Sequence, residues 1–250
     1  MRKAFAAAIA AGYPDPYKRN APINDLADLV ATLGPKGFAI SSLTEAAATR
    51  SAILAGLQAL VSGASPGDSL VFAFFGHGSY VAGPEPDGRT ECICPVDVFS
   101  AGPITDDQIA AILAGLPAGV SCDVLLDCCY SGTGTREVSD LPKEHKWKSL
   151  RPFGIPGPLK AAASRSSVPV SGMNHVLWAA CKANQLAYEG VSGGKWRSIY
   201  SAYILYAWRN YPTYSRSQAD AWAYPRVKAV SGQECQLEGD PGELAQVVFG

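Results

Sequence analysis

The sequence predicts an α/β domain: a mostly parallel central sheet with helices on both faces, a three-layer sandwich. Two observations carry this expectation. Short apolar runs alternate along the chain with segments whose apolar residues recur at helical spacing, the mark of successive βαβ units. The run "DSLVFAFFGHGS", Asp68 to Ser79, is also continuously apolar from Leu70 to Phe75, as a central parallel strand covered on both faces must be. With 250 residues and 48% hydrophobic content the chain can bury one large core, and a single domain over 1–250 is the simplest partition.

The elements follow in order. "KAFAAAIA" reads as the first strand. Its alanine-rich apolar run is short and weakly apolar for an export signal, which makes a core strand the better reading. "INDLADLVATLG" is a helix with Leu26, Leu29 and Leu33 on one face and Gly34 as its stop. "KGFAISSL" returns as a strand, and "TEAAATRSAILAGLQALVSGA" reads as one long helix with Ile53, Leu54, Leu57 and Leu60 inward. The strand ending in Gly-His-Gly comes next. After it, "YVAGPEPDGRTECICPVDVFSAGP" is too punctuated by Pro and Gly for a regular element. "ITDDQIAAILAGLPAG" is a helix capped by Thr105 or Asp106, and "VSCDVLLDCC" is the next buried strand. From 136 to 172 no period holds and seven basic residues appear, which marks a linker between a 1–135 part and a 173–250 part. "NHVLWAAC" (strand), "NQLAYEG", the helical "RSIYSAYILYAWRNY" and "SRSQADAWAYPRVKAV", and "QECQLEGD" complete the chain.

Composition removes several functional classes. Twenty-one basic and 22 acidic residues nearly cancel, so no global field steers the chain to nucleic acid or an anionic membrane, and no apolar run approaches the ~20 residues of a bilayer span. Seven cysteines, an odd number that includes a neighbouring pair, do not suit a secreted disulfide scaffold. A reducing, cytoplasmic location is the expectation.

Two core strands end in reactive residues, His77 on one and Cys128 and Cys129 on the other, and ligands of open α/β sheets bind at the carboxyl ends of strands. Glycines on both sides of His77 let the backbone turn sharply there. A thiol becomes a nucleophile when deprotonated, and an imidazole supplies both the proton acceptor and, as imidazolium, a charge that favours the thiolate. If the two strands are neighbours, His77 and Cys129 meet, and backbone N–H groups at Gly78 and Cys129 are placed to hold an oxyanion. His145 and His175 lack such a setting and read as a solvated and a packed histidine.

"FAFFGHGS" followed 52 residues after its histidine by "LLDCCYSG" resembles the caspase-like cysteine peptidases, and more closely the metacaspases, with their His-Gly and Asp-x-Cys-x-Ser-Gly motifs. A His-to-Cys separation of roughly 50 residues is a general mark of caspases. "INDLADLV", "DGRTECICPVD", "ITDDQI", "WAACKANQLAYE" and "GGKWRSIYSAYIL" extend the resemblance over nearly the whole chain. It implies the caspase-hemoglobinase-like sandwich, Cys129 as nucleophile, His77 as general base and Cys128 as a structural neighbour. It also implies that Asp25 and Asp127 form an acidic pocket selecting Arg or Lys before the cut, and that a basic linker is open to self-processing. Protein or peptide substrates and a monomeric state follow from the same likeness. A Cys-His dyad requires no cofactor, although many metacaspases bind Ca²⁺. Asp106, Asp107 and Glu91 match part of such a carboxylate cluster, while Arg136 stands where another ligand is expected and opposes the cation. Tyr130 and Phe75 depart from the family pattern, the second in a way that would narrow the substrate pocket.

Other readings are weaker. "GASPG" and "GVSGG" lack the strand-turn-helix order and the oxyanion motif of a serine nucleophile elbow. Cys92, Cys94, Cys128 and Cys129 lack the Cys-x-x-Cys knuckles of a zinc cage. An inactive scaffold keeping the fold without catalysis is the competing class, and the presence of both dyad residues argues against it.

Overall fold

The computed structural model describes residues 1–83, 89–129, 146–147, 167–182 and 185–250, with the backbone alone at 146–147 and 167–169. Tyr130, Arg136, His145 and most of the expected linker lie outside these residues. The elements are β1 (Arg2–Ala8), α1 (Pro22–Leu33), β2 (Ala39–Thr44), α2 (Arg50–Ser62), β3 (Ser69–Phe75), β4 (His77–Ala82), β5 (Arg89–Cys94), α3 (Val98–Ala101), β6 (Ile104–Thr105), α4 (Asp106–Leu113) and β7 (Ser121–Asp127). They continue with β8 (Lys146–Trp147), β9 (Ser167–Pro169), β10 (Val176–Ala179), β11 (Tyr188–Ser192), β12 (Lys195–Ser198), α5 (Ile199–Asn210), α6 (Arg216–Ser231), β13 (Gln236–Gly239) and α7 (Pro241–Ala245).

Seven strands form one sheet in the order β2-β1-β3-β7-β10-β13-β9. Its neighbours are parallel except for β10 and β13. Strand alternation divides the core in two. Val71, Ala73 and Phe75 of β3 face the side covered by Leu29 of α1, Ile204 and Trp208 of α5, and Ala223 of α6. Leu70, Phe72 and Phe74 face the side covered by Ile53 and Leu57 of α2 and by Ile109 of α4. This is the expected mostly parallel sandwich, its sheet drawing strands from both the 1–135 and the 173–250 parts.

Three local expectations are corrected. The long helix read from Thr44 starts only at Arg50, because Thr49 in extended conformation caps it by accepting from the Ala52 amide at 3.3 Å. Glu45 is thereby left outside the helix with φ of 50°. Its carboxylate accepts from the amides of Ala10, Ala11 and Gly12 just beyond β1. The punctuated stretch after His77 does contain regular structure, since β4, β5 and β6 form a small antiparallel sheet. Finally, two short strands come from the expected linker. β8 pairs with β11, and β9 pairs with β13.

A buried ion pair ties the far end of the sheet together. Arg216 at the start of α6 donates from Nε to Asp123 Oδ1 at 2.7 Å and from Nη2 to Asp123 Oδ2 at 2.8 Å. Trp178 Nε1 adds a third donor to the same carboxylate at 2.8 Å. Among the described residues, no helix is long and apolar enough to cross a membrane, and all seven cysteines are free and buried.

Candidate active site

The site lies at the carboxyl ends of β1, β3 and β7. In the parallel register Phe75 is paired with Asp127, so His77 and Cys129, each two residues further on, leave adjacent strands at the same level. Gly76 separates β3 from β4, making His77 the first residue of the small antiparallel sheet rather than the last of the large one. Gly78 lies directly against Cys129: a Cβ built there would overlap the Cys129 carbonyl and reach to 3.1 Å from Cys128 Sγ. A glycine is therefore required where the two motifs meet. His77 and Cys129 are both fully buried.

The paired cysteines take opposite faces. Cys128 joins the core side of Phe74 and Leu126, and Cys129 joins the side of Trp178 and Tyr200. Cys129 Sγ accepts from the Ala187 amide at 3.0 Å. That contact comes from the loop before β11, so the second part of the chain completes the site. Burial drives the Cys94 thiol well upward, with Cys92, Cys128 and Cys129 adding to the shift, so Cys94 remains a neutral neighbour of His77, its partner in the small sheet.

His77 is held by a loop that no sequence motif marks. Tyr13, fully buried, accepts from the His77 amide at 3.1 Å and donates to the Cys94 carbonyl at 2.6 Å. Burial raises its pKa well above the ordinary phenol value, which keeps the hydroxyl able to donate. Its ring meets the imidazole edge-on at a centroid distance of 4.6 Å. His77 Nε2 lies 2.7 Å from the Tyr17 carbonyl, and Arg19 Nη2 lies 3.3 Å from Nδ1. Two carboxylates anchor the loop at its ends: the half-buried Glu45 at Ala10–Gly12, and the buried Glu189 of β11 at the amides of Asn20 and Ala21. The available signal was position, because a loop leaving β1 emerges at the same sheet edge as the ends of β3 and β7.

Asp25 and Asp127 converge on the first turn of α5. Asp25 Oδ1 accepts from the Ser198 amide at 2.9 Å, and Oδ2 accepts from its hydroxyl. Asp127 Oδ2 accepts from the Ser201 amide at 3.1 Å and from its hydroxyl. Two buried carboxylates at one helix N-terminus suit the positive end of its dipole. Phe75, expected to narrow a substrate pocket, is a fully buried core residue facing Trp178 and Leu29. A hollow of about 490 Å³ between α5, α6 and the β11–β12 hairpin includes none of the predicted site residues in its lining.

The carboxylates that match part of a metacaspase calcium cluster are Asp106, Asp107 and Glu91. Among the described residues, no three His, Cys, Asp or Glu side chains gather as metal ligands. Asp106 and Asp107 occupy the first turn of α4 behind a Thr105–Gln108 capping box, and Glu91 sits on β5. The two aspartates stand where acidic residues complement the dipole of a helix N-terminus.

Comparisons with known proteins agree with the motifs. Residues 29–138, a span that includes His77, Gly78, Asp127 and Cys129, match the model of the metacaspase, peptidase C14 domain. Over that span the chain is similar to metacaspases. Metacaspase-1 of Yarrowia lipolytica is 46% identical over 106 residues, which cover 41% of this chain and 22% of that protein. Metacaspase-1 of Arabidopsis thaliana is 39% identical over 125 residues, covering 45% and 32%. This metacaspase-like chain thus spans less than a third of the length of either relative. A crystal structure of protein GSU0716 from Geobacter sulfurreducens superposes with a TM-score of 0.67 at 22% identity, covering 100% of this chain and 98% of that one, a likeness of fold.

Proposed function

We propose that the metacaspase-like chain is a cysteine endopeptidase that cuts after Arg or Lys, with Cys129 as nucleophile and His77 as general base. The observation that carries the reading is the close approach of Gly78 to Cys129 at neighbouring strand ends, which brings the His-Gly and Cys motifs into one site. In the reaction the Cys129 thiol gives its proton to His77, and the thiolate attacks the scissile carbonyl carbon. The oxyanion that forms is stabilised by the amides of Gly78 and Cys129. Collapse breaks the C–N bond, and the leaving amine takes the proton from His77. Water, deprotonated by the same imidazole, then hydrolyses the thioester and regenerates the thiol. Asp25 and Asp127 supply the negative charge that pairs with the substrate cation, oriented by Ser198 and Ser201.

The test uses fluorogenic peptides ending in Arg, Lys or Asp. Wild type should release fluorophore from the first two, and Cys129→Ala should lower turnover by at least about a thousandfold, as loss of a nucleophile does. Intact-mass measurement of the same samples should show cleavage in the basic 136–172 segment of wild type alone. Equal inertness of wild type and Cys129→Ala would favour the scaffold reading.

A further inference from the structure

Resting on the assignment of His77 as base, we propose that Arg19 is a third side chain of the dyad: a positioning residue that occupies the base in the free protein and must swing aside before Cys129 is deprotonated. A neutral imidazole has one N–H and one lone pair. His77 Nε2 lies 2.7 Å from the Tyr17 carbonyl, which can only accept, so a proton on Nε2 satisfies that carbonyl and leaves the lone pair on Nδ1, 3.3 Å from Arg19 Nη2. Arg19 Nε also donates to Nε2 at 3.1 Å, so in the other tautomer the lone pair on Nε2 again meets Arg19.

Two consequences follow from that geometry. In either tautomer the ring nitrogen that lacks a proton, the one able to take it from a thiol, already accepts from Arg19, and an imidazolium formed there would face a cation at hydrogen-bond distance, which disfavours the charged ring. Arg19 is also held in place. Its amide donates to the Ala10 carbonyl at 2.9 Å. The next two amides are anchored by Glu189. Burial lowers the Arg19 pKa, while the charges of Glu189, Cys129 and Tyr13 act to raise it, which places the guanidinium within the field of Cys129 as well as against His77. The titratable and charged groups around the imidazole are thus Tyr13, Tyr17 and Arg19 on the loop, Cys94 opposite on β5, Cys128 and Cys129 after β7, and Glu189 behind Arg19 on β11.

Proximity to a thiol permits an opposite role, since an arginine can also stabilise a thiolate directly. The contacts with His77 favour withholding over activation, and the two roles differ in sign. The experiment is alkylation of Cys129 by iodoacetamide, followed by peptide mass spectrometry from pH 5 to 9, for wild type, Arg19→Met and Arg19→Lys. Arg19→Met keeps much of the volume and removes every donor. We expect its alkylation near pH 6.5 to rise roughly tenfold, with the midpoint of the pH profile moving about one unit lower, the shift expected when an adjacent cation and hydrogen bond are removed. Arg19→Lys, a single point donor, should lie between the two. Slower alkylation in Arg19→Met would show that Arg19 activates the thiol and overturn the proposal. A uniform increase with an unmoved profile would overturn it too, by reducing Arg19 to a shield. No substrate is needed, so chains that cleave no peptide would sink the peptidase reading while leaving this result decisive for Arg19.

Discussion

Because successive side chains of an extended segment leave opposite faces, one residue separates a nucleophile candidate beside Trp178 and Tyr200 from a packing thiol beside Phe74 and Leu126. The same core side holds a second titratable residue of consequence. Asp220 of α6 is 5% exposed, and its Oδ1 has no hydrogen-bond partner among the described residues. Burial pushes its carboxyl up to about 7, with the Tyr200 phenol and the Cys235 thiol in its field. The raised value means that the folded state holds a proton which the unfolded chain releases near pH 4. Stability is therefore fully present below pH 4 and is lost as pH rises towards 7, by at most about 4 kcal/mol. His175 acts in the opposite sense. Burial lowers its pKa to about 4, so its contribution is lost as pH falls from 6.5 towards 4. Asp220→Asn, which mimics the protonated acid, should be more stable than wild type at pH 8 and flatten the decline between pH 5 and 8 in urea titrations. Parallel curves for the two proteins would rule the assignment out.

At the scale of elements, α5 ties candidate specificity to fold, since its first turn receives both Asp25 from α1 and Asp127 from β7. Charge and hydrogen bonding can be separated there. Asp25→Asn keeps an oxygen for the Ser198 amide and should cost under about 1 kcal/mol in urea denaturation, while lowering kcat/KM for Arg-ended peptides at least about tenfold through lost pairing with the cation. Asp25→Ala also removes the acceptor and should destabilise by about 2 kcal/mol. An Asn variant with undiminished Arg preference would remove Asp25 from the substrate pocket. Helix periods and strand runs were legible because each is written in a few consecutive residues, as Leu26, Leu29 and Leu33 show on α1. The start of α2 was misread because "TEAAATR" has helical composition throughout. Only the long-range contact of Glu45 with the amides after β1 removes that segment from the helix.

For the molecule as a whole, stability should depend on the Arg216–Asp123 pair, which joins α6 to the middle of the sheet with both side chains fully buried. Removing one partner leaves a buried charge, so Arg216→Met should lose about 3–5 kcal/mol in urea denaturation. Adding Asp123→Asn, which still accepts from Trp178 Nε1, should restore a large part of that loss. Additive losses in the double variant would mean that the two residues act independently. The alternation of elements, the continuously apolar central strand and the two motifs that mark His77 and Cys129 can be read from residue order alone, because period, composition and spacing are local properties. Folding is what surrounds His77 with Tyr13, Tyr17 and Arg19, brings Ala187 to Cys129, and joins Asp25 and Asp127 at α5. These groups are separated in the chain by up to 173 positions, as Asp25 and Ser198 are. They meet because parallel strands deliver distant segments to one sheet edge, where each buried polar group must find its partner.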